Sequence, residues 1–199
     1  MDTTRSSLLL RIRDERDELA WVEFDALYRP LMERFAAARG LRGPDVDDVV
    51  QHCMAAVHRY IRGFDYDPSR GRFKSWLCTL VNNHVRNLVR GRREHLAGSG
   101  ELDIPDSREA TPQEAFERIW IEDHFRYCLQ AVRNETDKPT FDAFHRYAIL
   151  DQPVEQVAQA AGLTPQQLYK IKWRLTQRLR EKLIDLLGEE EVAGEYLSQ

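Results

Sequence analysis

The side chains best suited to chemistry share one face of the segment 165–183. Apolar residues recur there at the spacing of a buried helical stripe, Leu168, Ile171, Leu175, Leu179 and Leu183. The opposite face then carries Gln166, Lys170, Trp173, Arg174 and Gln177. Gln and Arg can hydrogen-bond to base edges in the major groove, and Lys and Arg contact phosphates. This face predicts binding to duplex DNA, and an ordinary solvated basic face stays open as the alternative.

A second group of residues suits unpaired nucleic acid. The segment from Phe64 to Leu77 mixes Gly, Pro, cations and aromatics. A polar helix face follows with Asn82, Asn83, Arg86 and Asn87. Cations can hold a single-stranded backbone, while aromatics and amides can accept an unstacked base. The alternative places the aromatics in the core; the apolar neighbours favour that for Trp76, and both interpretations stay open for Phe73.

Residues for catalysis or metal binding are harder to find. Cys53, Cys78 and Cys128 are far apart and have no C-x-x-C spacing, so reduced thiols in a cytosol are expected. His52 and His58 lie near Cys53, but no second Cys/His cluster completes a metal site. The sequence also offers no phosphate-binding glycine loop and no nucleophile with its base. We therefore expect no enzyme activity, no catalytic residue, no cofactor and no metal.

An acidic group stands at the start of one predicted helix. Asp45, Asp47, Asp48 and Gln51 fall on its outer face. Acids at a helix start favour the helix dipole whatever else they do. The same acids could meet a basic partner surface, so both interpretations stay open.

The elements that position these residues are predicted to be helices. Leu, Ala, Arg and Glu abound, and no long alternation of apolar and polar residues indicates a strand. A stretch with glycines, two prolines and scattered acids indicates a flexible linker. The expected fold is all-α: two small helical domains at 1–93 and 113–187, a flexible acidic linker at 94–112 and an acidic tail at 188–199.

Apolar spacing also predicts the individual helices. Helical segments are expected within 8–39 and at about 46–61, 73–90, 112–132 and 138–149, with a shorter pair after Pro153. Gly43 and Pro44 should end the first segment, and Asp45 should cap the next. In the helix predicted at about 46–61, Tyr60 is expected to lie on the apolar side and to point inward.

The formal charge of −4 conceals separate blocks. Lys and Arg dominate 70–93 and 165–183, whereas 94–123 is acidic. Because local charge governs steering and phosphate contact, two anion-binding surfaces are expected. No apolar run approaches the roughly 18 residues needed to cross a bilayer, so we expect a soluble cytoplasmic protein without membrane insertion.

The segment 154–175 has the spacing of a helix-turn-helix. Ala158 is small where two helices would cross, and Gly162 permits a left-handed turn that a Cβ would resist. Thr164 can cap the second helix. The second domain is therefore predicted to contain a helix-turn-helix.

In order and spacing these elements resemble one family. The residues that carry the likeness are Asp47, Asp48 and Gln51 in an acidic helix, then Phe73, Trp76, Leu77 and Asn83, then a variable linker and a helix-turn-helix. The sequence is similar to extracytoplasmic-function (ECF) sigma factors of the sigma-70 family. The likeness covers about 24–93 and about 112–183, which is most of the chain.

The resemblance implies binding to core RNA polymerase, promoter recognition, DNA melting and transcription initiation at a specific regulon. The polymerase β′ clamp helices would bind Asp45, Asp47, Asp48 and Gln51. The melted minus-ten element would meet Arg70, Arg72, Phe73, Lys74, Asn82, Asn83 and Arg86. The upstream minus-thirty-five element would meet Thr164, Gln166, Gln167, Lys170, Trp173 and Arg174, and the second domain would dock on the β flap.

Regulation and one alternative function stay open. An anti-sigma factor or another regulator remains a candidate partner. The family commonly has an acid where this chain has His52, which suggests that the polymerase contact is tuned. The alternative function is that of a polymerase-independent helix-turn-helix DNA-binding transcriptional regulator.

Overall fold

The computed structural model describes residues 6–63, 72–96 and 111–187. Within these ranges the regular structure is helical and contains no strand, which confirms the predicted all-α fold. The α-helices are α1 (Ser6–Arg11), α2 (Glu18–Ala38), α3 (Pro44–Tyr60), α4 (Arg72–Leu96), α5 (Pro112–Asn134), α6 (Lys138–Phe144), α7 (Val154–Ala161) and α8 (Pro165–Leu187). A 3-10 turn (Ile61–Gly63) follows α3, and a π-helical turn (His145–Ile149) follows α6.

Two helix boundaries differ from the sequence prediction. Helix α3 begins at Pro44, after Gly43 with φ 54°, and has no side-chain cap. Asp45 is therefore not the cap; it lies inside the first turn, where its charge favours the helix dipole. Helix α4 continues beyond Arg90 to Leu96. Residues 94–96, predicted to begin the linker, are therefore helical. Because 97–110 lie outside the described residues, the domain limits stay a prediction.

The chain divides into two compact units, 1–123 and 124–199, with the division inside α5. In the first unit α2, α3 and α4 pack against one another. Their centre is aromatic: the ring centroids of Tyr28 and Phe73 lie 5.3 Å apart, and those of Tyr28 and Trp120 lie 5.8 Å apart. Such pairs add to the free energy that burial of their apolar surface already contributes.

The beginning of α5 is fixed by a local motif. The amide N–H of Thr111 donates to Glu114 Oε2 at 2.6 Å, and the amide N–H of Glu114 donates to Thr111 Oγ1 at 3.3 Å. This reciprocal pair is a capping box, and it satisfies amides that the first helical turn leaves unbonded. Helix α5 then brings Phe116 to 5.2 Å from Phe35 between ring centroids.

Helix α3 presents its apolar side to α2 and α4, as predicted, except at its last turn. Val49, Val50 and Val57 are buried. Tyr60, expected inward, is 55% exposed, so that prediction is wrong. The 3-10 turn that follows α3 places Ile61 in the core instead.

The second unit is built around the crossing of α7 and α8. A small core cluster contains Ala143, Val157, Ala158 and Leu168, with Tyr147, Val154 and Leu163 packed against it. Ala158 is 2% exposed, which agrees with the small residue predicted where the helices cross. Of the predicted α8 stripe, Ile171 is only half-buried, whereas its four leucines are buried. No described helix combines the length and hydropathy needed to span a membrane.

Candidate nucleic-acid interface

The outer face of α8 presents cations and an aromatic ring to solvent. All six residues predicted to meet the upstream element are exposed: Thr164, directly before α8, and Gln166, Gln167, Lys170, Trp173 and Arg174 on α8. Trp173 retains 70% of its accessible surface. From Pro165 to Arg180 the helix has no acidic residue. This face can therefore approach a polyanion without charge repulsion from the first sixteen residues of its helix.

The turn before α8 sets where that face begins. Gly162 ends α7 in the left-handed conformation with φ 66°, as the sequence predicted. The amide N–H of Thr164 donates to Gln167 Oε1 at 2.8 Å, and the amide N–H of Gln167 donates to Thr164 Oγ1 at 3.3 Å. The Thr164 hydroxyl also donates to Gln167 Oε1 at 3.1 Å.

These hydrogen bonds form a capping box at the start of α8. Thr164 and Gln167 were predicted to contact DNA; both are exposed, and that contact stays a prediction. Their polar groups also stabilise the first turn of α8.

An aromatic and cationic cluster beside this face was not found from the sequence. The rings of Tyr147 and Tyr169 meet edge to face with centroids 5.9 Å apart. Lys172 Nζ lies 4.9 Å from the centroid of the Tyr147 ring. A shallow depression of about 500 Å³ is lined by Tyr169, Lys170, Ile171, Trp173 and Arg174. The cluster places Tyr169 beside Trp173 on the edge of the α8 face.

A second candidate site lies in the first unit. A groove of about 680 Å³ is lined by α4 and by Arg39, the residue that ends α2. Its polar lining consists of Arg39, Asn83, Arg86, Asn87 and Arg90, and its apolar lining of Val85 and Val89. Guanidinium groups can bind phosphates bidentately, and amides can pair with the edge of a base. The groove therefore combines the two kinds of contact that nucleic acid requires.

Seven residues were predicted to meet melted DNA, and the side chains of five of them are described. Of these five, Asn83 and Arg86 line the groove. Arg39 and Arg90 were missed. Arg39 directly follows α2, so no periodicity along α4 could reveal it. Arg90 lies four residues beyond Arg86 on α4, so helical spacing could have found it.

Three of the other predicted residues are not part of the groove lining. Phe73 is 1% exposed, so its assignment to a base contact is wrong; its ring packs against Phe24 and Tyr28 in the core. Lys74 is half-buried, with its Nζ 5.7 Å from the centroid of the Trp120 ring. Asn82 is also half-buried, and its Oδ1 has no hydrogen-bond partner among the described residues.

The side chains of the remaining two predicted residues lie outside the described part of the structure. Arg70 lies outside the described residues. Arg72 is the first residue of α4, and its side chain also lies outside the described part. Their contact with melted DNA stays a prediction.

The acidic face of α3 is displayed as the sequence suggested. Asp47, Asp48 and Gln51 are exposed, and Asp45 is half-buried. His52 is exposed beside them, and its Nδ1 lies 2.7 Å from the Asp48 carbonyl oxygen, which accepts the hydrogen bond. This contact fixes the imidazole ring at the edge of the acidic face.

Thiol or metal chemistry finds no support in the described residues. Cys53, Cys78 and Cys128 are all buried. Burial raises the pKa of Cys53 to about 12 and that of Cys128 to about 12. Among the described residues no three His, Cys, Asp or Glu side chains come together as metal ligands.

Comparison with known proteins gives a family match within the first unit. The family model for Sigma-70 region 2 matches residues 26–95, which include the α3 acids and the Asn83–Arg86 groove. Residues 26–95 are therefore similar to sigma-70 region 2. The match supports the resemblance to the sigma-70 family over these residues.

A curated relative and a solved structure extend the comparison. The chain is 28% identical over 88 residues to the ECF RNA polymerase sigma factor RpoE of Cereibacter sphaeroides. That match covers 44% of this chain and 48% of the relative, so the chain spans about half of the relative's length. The structure of CnrH in complex with the cytosolic domain of CnrY matches with 20% identity and a TM-score of 0.37, covering 92% of this chain and 97% of that one. The second likeness is too distant to support an argument.

Proposed function

We propose that this chain is a sigma factor that binds core RNA polymerase and directs transcription initiation at specific promoters. The observation that carries the proposal is the match of residues 26–95 to sigma-70 region 2, because these residues hold both the acidic α3 face and the basic groove. The exposed face of α8 supplies a second surface suited to duplex DNA. On this proposal the chain works in the cytoplasm, where the polymerase is.

The two surfaces suit different forms of DNA. In the groove, Asn83 and Arg86 stand on consecutive turns of α4, so an amide and a guanidinium face the same space. That combination suits an unpaired strand, whose bases and phosphates are both accessible. On α8 the cations Lys170 and Arg174 are spaced to follow a major groove. We assign the groove to the melted minus-ten element and α8 to the upstream element.

The acidic face of α3 is assigned to the polymerase. Asp47 and Asp48 are exposed, and a basic surface on the β′ clamp helices would complement them. His52 replaces an acid that the family commonly has there, so the contact is expected to be weaker than with a carboxylate. An anti-sigma factor and the β flap of the polymerase are further partners in this proposal.

Run-off transcription tests the proposal. Purified core polymerase, the full chain and DNA from upstream of its own gene should give a defined transcript only when all three are present. If the chain binds that DNA specifically without polymerase and never supports RNA synthesis, the alternative function as a polymerase-independent regulator is favoured instead.

The groove is tested by measuring promoter opening. Arg86→Ala should reduce permanganate reactivity of unpaired thymines roughly ten-fold, because a contact of about 1 to 3 kcal/mol is lost. Arg59→Ala removes an exposed arginine from α3 and serves as the matched control. Equal opening by wild type and Arg86→Ala would exclude the groove from melting.

The acidic face is tested by polymerase affinity. Asp48→Arg should weaken binding of the full chain to core polymerase, because it places like charges against the proposed basic surface. His52→Glu should strengthen binding. Glu181→Arg reverses an exposed acid on α8 and is the control. Unchanged affinity in both α3 variants would remove this face from the polymerase interface.

A further inference from the structure

Trp173 exposes an aromatic ring on the α8 face. Phosphate and base-edge contacts by cations and amides do not require such a ring. Trp173 is 70% exposed, and among the described residues it makes no hydrogen bond, ring contact or cation contact. Its neighbour Tyr169 is 49% exposed, but that ring is held edge to face by Tyr147. Trp173 is therefore an unpartnered apolar surface at the centre of a positively charged helix face.

The neighbours of Trp173 indicate what approaches it. Lys170 and Arg174 adjoin it along the depression that Trp173 also lines. The helix has no acid from Pro165 to Arg180, so an acidic or phosphate-bearing surface is favoured there over a basic one. Ion pairs with phosphates would bring the helix into a major groove and place the indole against base edges.

The major groove offers one apolar group to such a ring. Base edges there present hydrogen-bond donors and acceptors, and the exception is the C5-methyl group of thymine. The indole N–H is a donor, yet the remainder of the ring is apolar and would desolvate polar base edges without replacing their hydrogen bonds.

We propose that Trp173 reads the C5-methyl group of a thymine in the upstream promoter element. The inference rests on the proposed function, since it assumes that α8 enters duplex DNA. Lys170 and Arg174 supply the phosphate and base-edge contacts that set the register. Tyr169, whose ring packs against Tyr147, lines the same depression as Trp173.

The test removes the methyl group alone. Holoenzyme made from the full chain and core polymerase first selects duplexes from a library randomised in the upstream segment. In an enriched duplex each thymine is then replaced by deoxyuridine, which differs only at C5. One replacement should weaken binding about four-fold, the effect expected for a buried methyl group. Placing 5-methylcytosine at that position should bind better than cytosine.

Protein variants decide which side chain reads the methyl group. Trp173→Ala should bind the thymine duplex more weakly and lose its preference for thymine over deoxyuridine, whereas Trp173→Phe should retain part of both. Tyr169→Phe removes only a hydroxyl and should preserve the preference. Circular dichroism should show the same folding for all of them, because Trp173 is exposed.

Each outcome bears on the proposal. If no deoxyuridine position matters for the wild type, the indole contacts something other than a methyl group, a protein surface included, and the proposal is overturned. If Trp173→Ala keeps the full thymine preference, another residue reads the methyl group and the proposal is again overturned. A holoenzyme that enriches no duplex and transcribes no template contradicts the proposed function itself.

Discussion

The guanidinium of Arg34 in α2 donates a hydrogen bond of 2.8 Å to the carboxylate of Asp123 in α5, across 89 positions of sequence. The Asp123 side chain is 3% exposed, and Arg34 also pairs with Glu122. Desolvation alone would lower the pKa of Arg34, but the hydrogen bonds to Glu122 and Asp123 raise it overall. The first half of α5 is therefore joined to α2 by a charged clamp as well as by apolar packing.

Loss of this clamp should destabilise the first unit. Arg34→Met leaves the buried Asp123 carboxylate without this cation, and we expect the free energy of unfolding to decrease by about 1 to 2 kcal/mol. The value is below that of a fully buried pair because Arg34 is partly exposed. Urea denaturation measures it. Arg29→Met breaks the exposed Arg29–Asp25 pair and should cost less than about 0.5 kcal/mol; equal effects would contradict the clamp.

Gly162 should tolerate substitution poorly for a purely backbone reason. Its φ is +66°, and a Cβ built there meets no atom within 4 Å. Gly162→Ala should therefore lower the free energy of unfolding by about 1 kcal/mol through left-handed strain alone, and Gly162→Val by more. Thermal unfolding gives the comparison. Gly91→Ala inside α4 should have the opposite sign, since alanine favours a helix.

The three thiols should be inert in the folded protein. Burial raises the pKa of Cys53 to about 12 and that of Cys78 to about 11, so almost no thiolate forms near neutral pH. At pH 8 iodoacetamide should label native cysteines at least about a hundred-fold more slowly than after unfolding in urea. Mass spectrometry counts the adducts. Thr79→Cys adds an exposed thiol beside Cys78 and should be labelled in the native state. Rapid native labelling at Cys53 would refute this prediction.

Stability should decrease in mild acid because of His84. Burial lowers its pKa below the ordinary 6.5, and the charge of His52, whose ring centroid lies 5.7 Å away, lowers it further. As the pH falls through 6.5 the unfolded chain takes up this proton before the folded chain does, so the free energy of unfolding is greatest above 6.5 and falls below it. Thermal midpoints between pH 5 and 8 should show the decrease.

One variant isolates that contribution. His84→Gln should flatten the dependence of the thermal midpoint on pH between 5 and 7. A wild-type midpoint that does not change over this range would show that His84 is not responsible.

Local features of the site followed from the sequence. Leu168, Leu175 and Leu179 recur at helical spacing, which predicts that they are buried and that Trp173 and Arg174 face solvent. The structure confirms the burial of the three leucines and the exposure of Trp173. The left-handed turn at Gly162 was likewise predictable. Glycine is the residue that adopts such a conformation without strain, and a turn is a local event.

Tertiary packing decided the rest. Phe73 and Trp76 have similar chemistry and lie in one helix, yet only the neighbours contributed by α2 make Phe73 a core residue. Arg39 joins Asn83 in one groove because two helices pack together. The sequence alone determined which residues form helices and which helix face is apolar, since both depend on interactions within a few residues. Only the folded chain decided which distant side chains meet. Such contacts depend on packing between helices, and the spacing of residues along one helix does not predict that packing.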